Sequence, residues 1–258
     1  MRSVCVIPAR AGSQRVKSKN IRKLGKHPLF AWQIRNAIAS EVFDEVIFSS
    51  ESEKYLRIAE QYGAIPVLRP DEYALPHIRV ELAASVSLDV HYGGERRQGR
   101  SVPDKILPPL TCVALPTAPF TPPEAYRHLR EIIGKNDTES AVTFAPTPHN
   151  TLRTFYRPSG LSPKSGMSEF FYPVSGSFTK TGFQSQDLPK TYFPTYGASF
   201  VKTQTLRLYS SYYAASSEKQ RGIDVTLLNK YAGLDIDTEE DFDFAEQVVR
   251  EKKVVFHD

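Results

Sequence analysis

Between residues 4 and 145, short apolar, β-rich runs alternate with stretches of helical spacing, and that alternation restricts the fold more than any other feature. Val4–Ile7, Glu45–Ser49, Ile65–Leu68, Leu110–Ala114 and Ser140–Ala145 read as strands. Between them, Pro28–Ser40 sets Leu29, Trp32, Ile34, Ala37 and Ile38 close to a helical period. Glu53–Tyr62 and Val80–Val90 also read as helices, and Pro122 and Pro123 stand where another begins. Strand alternating with helix predicts an α/β chain built on a doubly wound, mostly parallel sheet. The 258 residues are 40% hydrophobic and 24% charged, enough to bury a substantial core as one domain over 1–258.

The pattern breaks from Pro146 to Pro194, where Pro, Gly, Ser and aromatic residues replace any helical period. This segment, 146–194, is expected to be an excursion of hairpins and loops. Alternation resumes with a strand at Gly197–Val201 and a helix near Thr203–Tyr213. In "GLDIDTEEDFDFAEQVV", Leu234 and Ile236 are expected to form a last strand, and Thr238, with Asp241 three residues on, to cap a last helix. The glycine-rich basic stretch His91–Lys105 reads as a solvated surface loop, and the chain has no internal repeat.

A formal charge of +4 suits small anions and does not suggest a protein that coats DNA. The basic loops at Arg10–Lys26 and Glu95–Lys105 come with no nucleic-acid motif, so no nucleic-acid partner is expected. No run is long and apolar enough for a membrane, so a cytoplasmic protein is expected. Cys5 and Cys112 lie in apolar runs and read as buried structural thiols of a reducing compartment. His27, His128 and His257 read as surface or satisfied histidines, and no HxxxH, CxxC or Ser/His/Asp spacing points to zinc or a hydrolase triad.

Chemistry concentrates in "VIPARAGSQRVKSKNI", Val6–Ile21, where the first strand ends in a cationic loop without an acid. Ligands of open parallel sheets sit beyond the carboxyl ends of the strands. Gly12 would let a ligand approach the backbone, Ser13 offers a hydroxyl, and Arg10, Arg15 and Lys19 offer donors suited to phosphate oxygens. The loop is neither GxGxxG nor GxxxxGK[ST], so the residues alone leave open whether it binds phosphate or is a basic surface loop. Asp235 and Asp237, at i and i+2 at the end of the expected last strand, would point to one side and could hold Mg²⁺. A helix-capping cluster is the competing reading of the same acids.

"IPARAGSQRVKSKNI" closely resembles the opening motif of the CMP-acylneuraminate synthetases and the related pseudaminic and legionaminic acid cytidylyltransferases. Further segments follow in that family's order: "FDEVIFSS", "YGAIPVLRP", "LPTAPF", "SQDLP", "YGASFV" and "LDIDTEEDFDFAE". "LRTFYRPSG" followed by "QDLP" leans toward the pseudaminic branch. The resemblance implies a nucleotide-diphospho-sugar-transferase-like fold and transfer of CMP from CTP to the anomeric hydroxyl of an acidic nine-carbon sugar. It implies nucleotide contacts at Ala9, Arg10, Gly12, Ser13, Lys19, Asn20 and Arg69, the last near cytosine and ribose. It implies catalytic roles for Arg10, Lys19 and Asp235, Mg²⁺ as cofactor on Asp235 and Asp237, and a homodimer formed through the excursion.

The sequence departs from that pattern at several places. The family's lysine is Gln14 and its "STD" aspartate is Glu51; a Ser/Thr- and Asp-rich run is "ALPHIRV", with His77 and Arg79 as new donors. Leu115, Thr121, Ser185, Phe193 and Tyr196 stand where the family has polar or cationic residues. An active cytidylyltransferase for an unusual acidic sugar is therefore one expectation, and a divergent nucleotide-binding paralogue with little transfer is the other.

Overall fold

The computed structural model describes residues 1–13, 15–93, 102–135, 138–147, 155–156, 172–173, 190–209 and 220–257. The first part of the chain gives β1 (Ser3–Pro8), β2 (Lys23–Leu24), β3 (His27–Pro28), α1 (Leu29–Ala39), β4 (Glu45–Ser50), α2 (Glu53–Gln61), β5 (Ile65–Leu68) and α3 (Val80–Gly93). There follow β6 (Leu110–Val113), α4 (Pro123–Ile133), β7 (Ser140–Pro146), β8 (Phe155–Tyr156), β9 (Tyr172–Pro173), β10 (Tyr192–Lys202), α5 (Thr203–Tyr209), β11 (Gln220–Asp224) and α6 (Glu239–Arg250).

Seven strands form one sheet in the order β11-β7-β10-β6-β1-β4-β5. β1 pairs in parallel with β4 and β6, β4 with β5, and β11 with β7, while β10 runs antiparallel to β6. Successive side chains of a strand face opposite sides of its sheet. Cys5 and Ile7 enter a core with Phe30 and Ile34 of α1, Tyr55 of α2, and Tyr126 and Leu129 of α4. Val4 and Val6 enter the opposite core with Ala84 and Leu88 of α3 and Leu206 of α5. Burial on both faces is why the run at residues 4–7 is apolar throughout rather than alternating. Cys5 and Cys112 are cross-strand partners with free thiols in this interior, and burial pushes the Cys5 thiol up.

The chain divides into two compact units, one of Met1–Phe144 and Pro194–Asp258, the other of Ala145–Phe193. In the second unit, β8 and β9 pair antiparallel, and the Thr147 amide donates to the Thr191 carbonyl at 2.9 Å. Gln14, Phe170, Phe171, the "SQDLP" segment at 185–189, most of "LRTFYRPSG" and of the 91–105 stretch, and the end of the helix expected to reach Tyr213 lie outside the described residues.

Three elements differ from the sequence expectation. Leu234–Ile236 is not a strand; it has no sheet pairing and is held by the Ile236 amide donating to the Thr117 carbonyl at 2.8 Å. Its apolar alternation is satisfied otherwise: Ile236 is buried, and Leu234 partly so, against Val16, Leu29, Trp32 and Phe242. A strand, β11, forms instead at "QRGID", where parallel pairing with β7 supplies what so polar a stretch does not signal. The β2–β3 hairpin was also illegible in periodicity, because it is two residues per strand around Gly25, whose φ of 63° is left-handed.

No helix among the described residues is long and apolar enough to cross a membrane.

Candidate active site

β1 and β6 are neighbours in the sheet, and the loops leaving their carboxyl ends face one another. Beyond Pro8 and the loop that follows, a 3-10 turn forms at Lys19–Ile21, which Ser18 enters in the left-handed region at φ 53°. A cleft of about 160 Å³ opens there, lined by Pro8, Arg10, Ser13, Arg15, Val16, Lys19 and Asn20 on one side and Leu115–Thr117 on the other.

Lys19 joins this loop to the acidic segment before α6. Its ammonium donates to the Ile236 carbonyl at 2.5 Å and lies 3.3 Å from Asp237 Oδ1. Arg15 reaches the same carboxylate oxygen at 2.9 Å. The Arg15 side chain is 70% exposed, so that pair contributes less than about 1 kcal/mol. Lys19 is only 9% exposed and therefore largely desolvated, with its partners fixed by burial.

Asp235 lies close enough to Asp237 and Lys19 to feel both charges. Burial pushes its carboxyl up, and the Asp237 charge adds to this, against the Thr117 hydrogen bond and the Lys19 charge. Its Oδ1 is buried without a hydrogen-bond partner. An orphaned carboxylate oxygen near a second carboxylate suits a hard divalent cation. Among the described residues no group of three or more His, Cys, Asp and Glu is gathered for a metal. Asp235 and Asp237 could therefore hold Mg²⁺ only with further oxygens from a ligand or water, as that ion prefers.

α6 fixes this segment. Thr238 accepts the Asp241 amide at 3.2 Å, and Asp241 returns to the amides of Thr238 and Asp237 at 2.8 and 2.9 Å. Burial alone would raise the Asp241 carboxyl, but these hydrogen bonds, with Lys19 nearby, hold it below its ordinary value. Of the acids in this segment, Asp241 caps the helix, while Asp237 pairs with Lys19 and Arg15, both of which line the cleft.

Of the residues singled out in the sequence, Arg10, Ser13, Lys19 and Asn20 line the cleft together. The Arg10 guanidinium has no partner among the described residues, whereas its carbonyl accepts Asn20 Nδ2 at 2.9 Å. Ala9 is buried, its side chain in the core and its amide on the Ser49 carbonyl. A Cβ at Gly12 would meet nothing within 4 Å, so the protein itself does not require glycine there. Arg69 does not line the cleft; it is buried behind the loop against Glu51 and Ser49. His77 and Arg79 are exposed. Thr117, which bonds Asp235, carried no signal of its own in the sequence.

The family model described as cytidylyltransferase matches residues 4–78, the stretch that carries β1, the cationic loop, β4 and β5. The pseudaminic acid cytidylyltransferase of one Campylobacter jejuni strain is 40% identical over 91 residues, 33% of this chain and 39% of that protein. The protein of the same description from a second strain is 27% identical over 250 residues, 95% of each chain. The chain is thus similar to cytidylyltransferases, in its first strands and along its length. The fold is also similar to that of a solved CMP:2-keto-3-deoxy-manno-octonic acid synthetase complexed with CTP, at 13% identity and a TM-score of 0.64 over 98% of this chain and 100% of that one.

Proposed function

We propose that the enzyme transfers CMP from CTP to the anomeric hydroxyl of a nonulosonic acid, an acidic nine-carbon sugar, and releases pyrophosphate. The observation that carries this reading is Lys19, a cleft-lining residue whose single ammonium ties the cationic loop to the Ile236 carbonyl and Asp237. The full-length likeness to a protein described as a pseudaminic acid cytidylyltransferase supports the sugar class.

In the reaction, the sugar hydroxyl oxygen forms a bond to the α-phosphorus, the bond from that phosphorus to the bridging oxygen breaks, and pyrophosphate leaves with the electron pair. The hydroxyl proton is released. Catalysis here is mainly positioning and charge neutralisation. The unpaired Arg10 guanidinium, the Ser13 hydroxyl and Lys19 bind triphosphate oxygens, and Asn20, which also holds the Arg10 carbonyl, orients the nucleotide. Open space at Gly12 leaves the loop backbone free to approach a phosphate. Asp235 and Asp237 would hold Mg²⁺, which supplies charge neutralisation on the phosphate oxygens when bound. The Leu115–Thr117 side of the cleft is less polar than the loop side, and helps exclude water.

Pyrophosphate release, measured with each of the four ribonucleoside triphosphates against a panel of nonulosonic acids, tests the reading. Release with CTP and at least one such acid is expected; no release with any pair would overturn it.

A further inference from the structure

The peptide backbone around Arg10 is fixed on both sides, and the fixing leads to one buried ion pair. The Ala9 amide donates to the Ser49 carbonyl at 2.9 Å. The Ala11 amide donates to Glu51 Oε1 at 2.6 Å. The other Glu51 oxygen lies 3.6 Å from Arg69, whose side chain is 2% exposed and also donates to the Ser49 carbonyl and hydroxyl at 3.4 Å each. Ser87 donates to the Ser49 hydroxyl at 2.6 Å, which completes the network beneath the loop.

We propose that Glu51 and Arg69 are positioning residues of the triphosphate site, acting through the backbone of residues 9–11 and touching no part of the nucleotide. The inference rests on the loop being that site. A buried guanidinium requires a counter-charge, and Glu51 supplies it while using its second oxygen on the loop. Aspartate at position 51 would be about 1.5 Å shorter and could not serve both partners from the same backbone. Glutamate thus allows Arg69 to be used behind the loop: the ion pair sets the Ala11 amide, the Ala11 amide sets Arg10, and Arg10 meets phosphate. Preorganisation of this kind acts on the charged part of the ligand alone.

Calorimetric titration of the full chain with CTP and with cytidine separates this from direct contact. Arg69→Met and Glu51→Asp should each weaken CTP by roughly tenfold or more and leave cytidine unchanged, because only the phosphates meet the loop. The double variant should lose no more than the worse single one, since both act through one network. Equal weakening of cytidine and CTP by Arg69→Met would place Arg69 on the base or ribose and overturn the proposal, as would unaltered CTP affinity in Glu51→Asp. Amide exchange at residues 9–11, measured without nucleotide, should accelerate about tenfold in both variants if the pair fixes this backbone; unchanged exchange would overturn it. A wild-type chain that fails to bind CTP, with exchange still accelerated in the variants, would remove the nucleotide reading and keep the positioning.

Discussion

At the scale of single residues, Asp235 has the most to reveal, because its burial and its proposed role in activity make opposite demands. A carboxyl raised by burial favours the folded state at low pH, below its unfolded value, and that contribution disappears as pH rises through the raised folded value. At neutral pH the ionised, partly desolvated group therefore opposes folding. Asp235→Asn should leave the melting temperature at pH 7 unchanged or higher, while turnover falls about a hundredfold, the loss of roughly 3 kcal/mol of transition-state stabilisation. A variant that unfolds readily would make Asp235 a structural residue. The same burial predicts that binding of a divalent ion, followed with Mn²⁺, fails on the acid side at a pH above the ordinary aspartate range. Arg10→Ala should weaken CTP by tenfold or more in calorimetry, the cost of one charge-assisted hydrogen bond to phosphate.

At the scale of elements, α6 links stability to the site through its capping box. Thr238→Ala removes the acceptor of the Asp241 amide and should cost about 1 kcal/mol in denaturant unfolding. The sign of the pH effect at Asp241 is opposite to that at Asp235. Its lowered carboxyl contributes stability above the unfolded value, and that contribution is lost as pH falls through the lowered folded value. Asp241→Asn should thus lower the melting temperature at pH 7 and flatten its dependence on pH between the ordinary aspartate range and more acid conditions. Because Asp241 also holds the Asp237 amide, the substitution should weaken Mn²⁺ binding as well.

At the scale of the whole molecule, the larger unit rests on a two-sided interior. Phe30 is fully buried, with its ring 4.5 Å from Phe48 and 6.0 Å from Tyr55. Phe30→Ala should cost about 3–5 kcal/mol in chemical unfolding, the loss expected when a large ring leaves a cavity. If the segment of residues 146–194 forms a homodimer, deletion of Leu161–Lys180 should give a folded monomer by light scattering. A wild-type chain that is already monomeric would remove that assignment.

The sequence by itself determined the alternation of strand and helix, because strands buried on both faces must be apolar along their length and helices that cover them must be apolar along one side. It also determined the cap of α6, since Thr238 and Asp241 act across three residues, and it located the cationic loop, because ligand sites of open parallel sheets follow strand ends. What lies beyond local spacing had to come from the tertiary structure. "QRGID" becomes β11 only because β7 offers it a parallel edge, and Leu234–Ile236 remains unpaired because the Thr117 carbonyl and the packing under α6 satisfy it. Lys19 meets Asp237 across 218 positions of sequence. Arg69 and Glu51 are separated by a helix and a strand, and no spacing rule relates them. Their meeting behind the loop depends on β4 and β5 lying side by side, since a buried cation goes where the packed chain brings it a counter-charge.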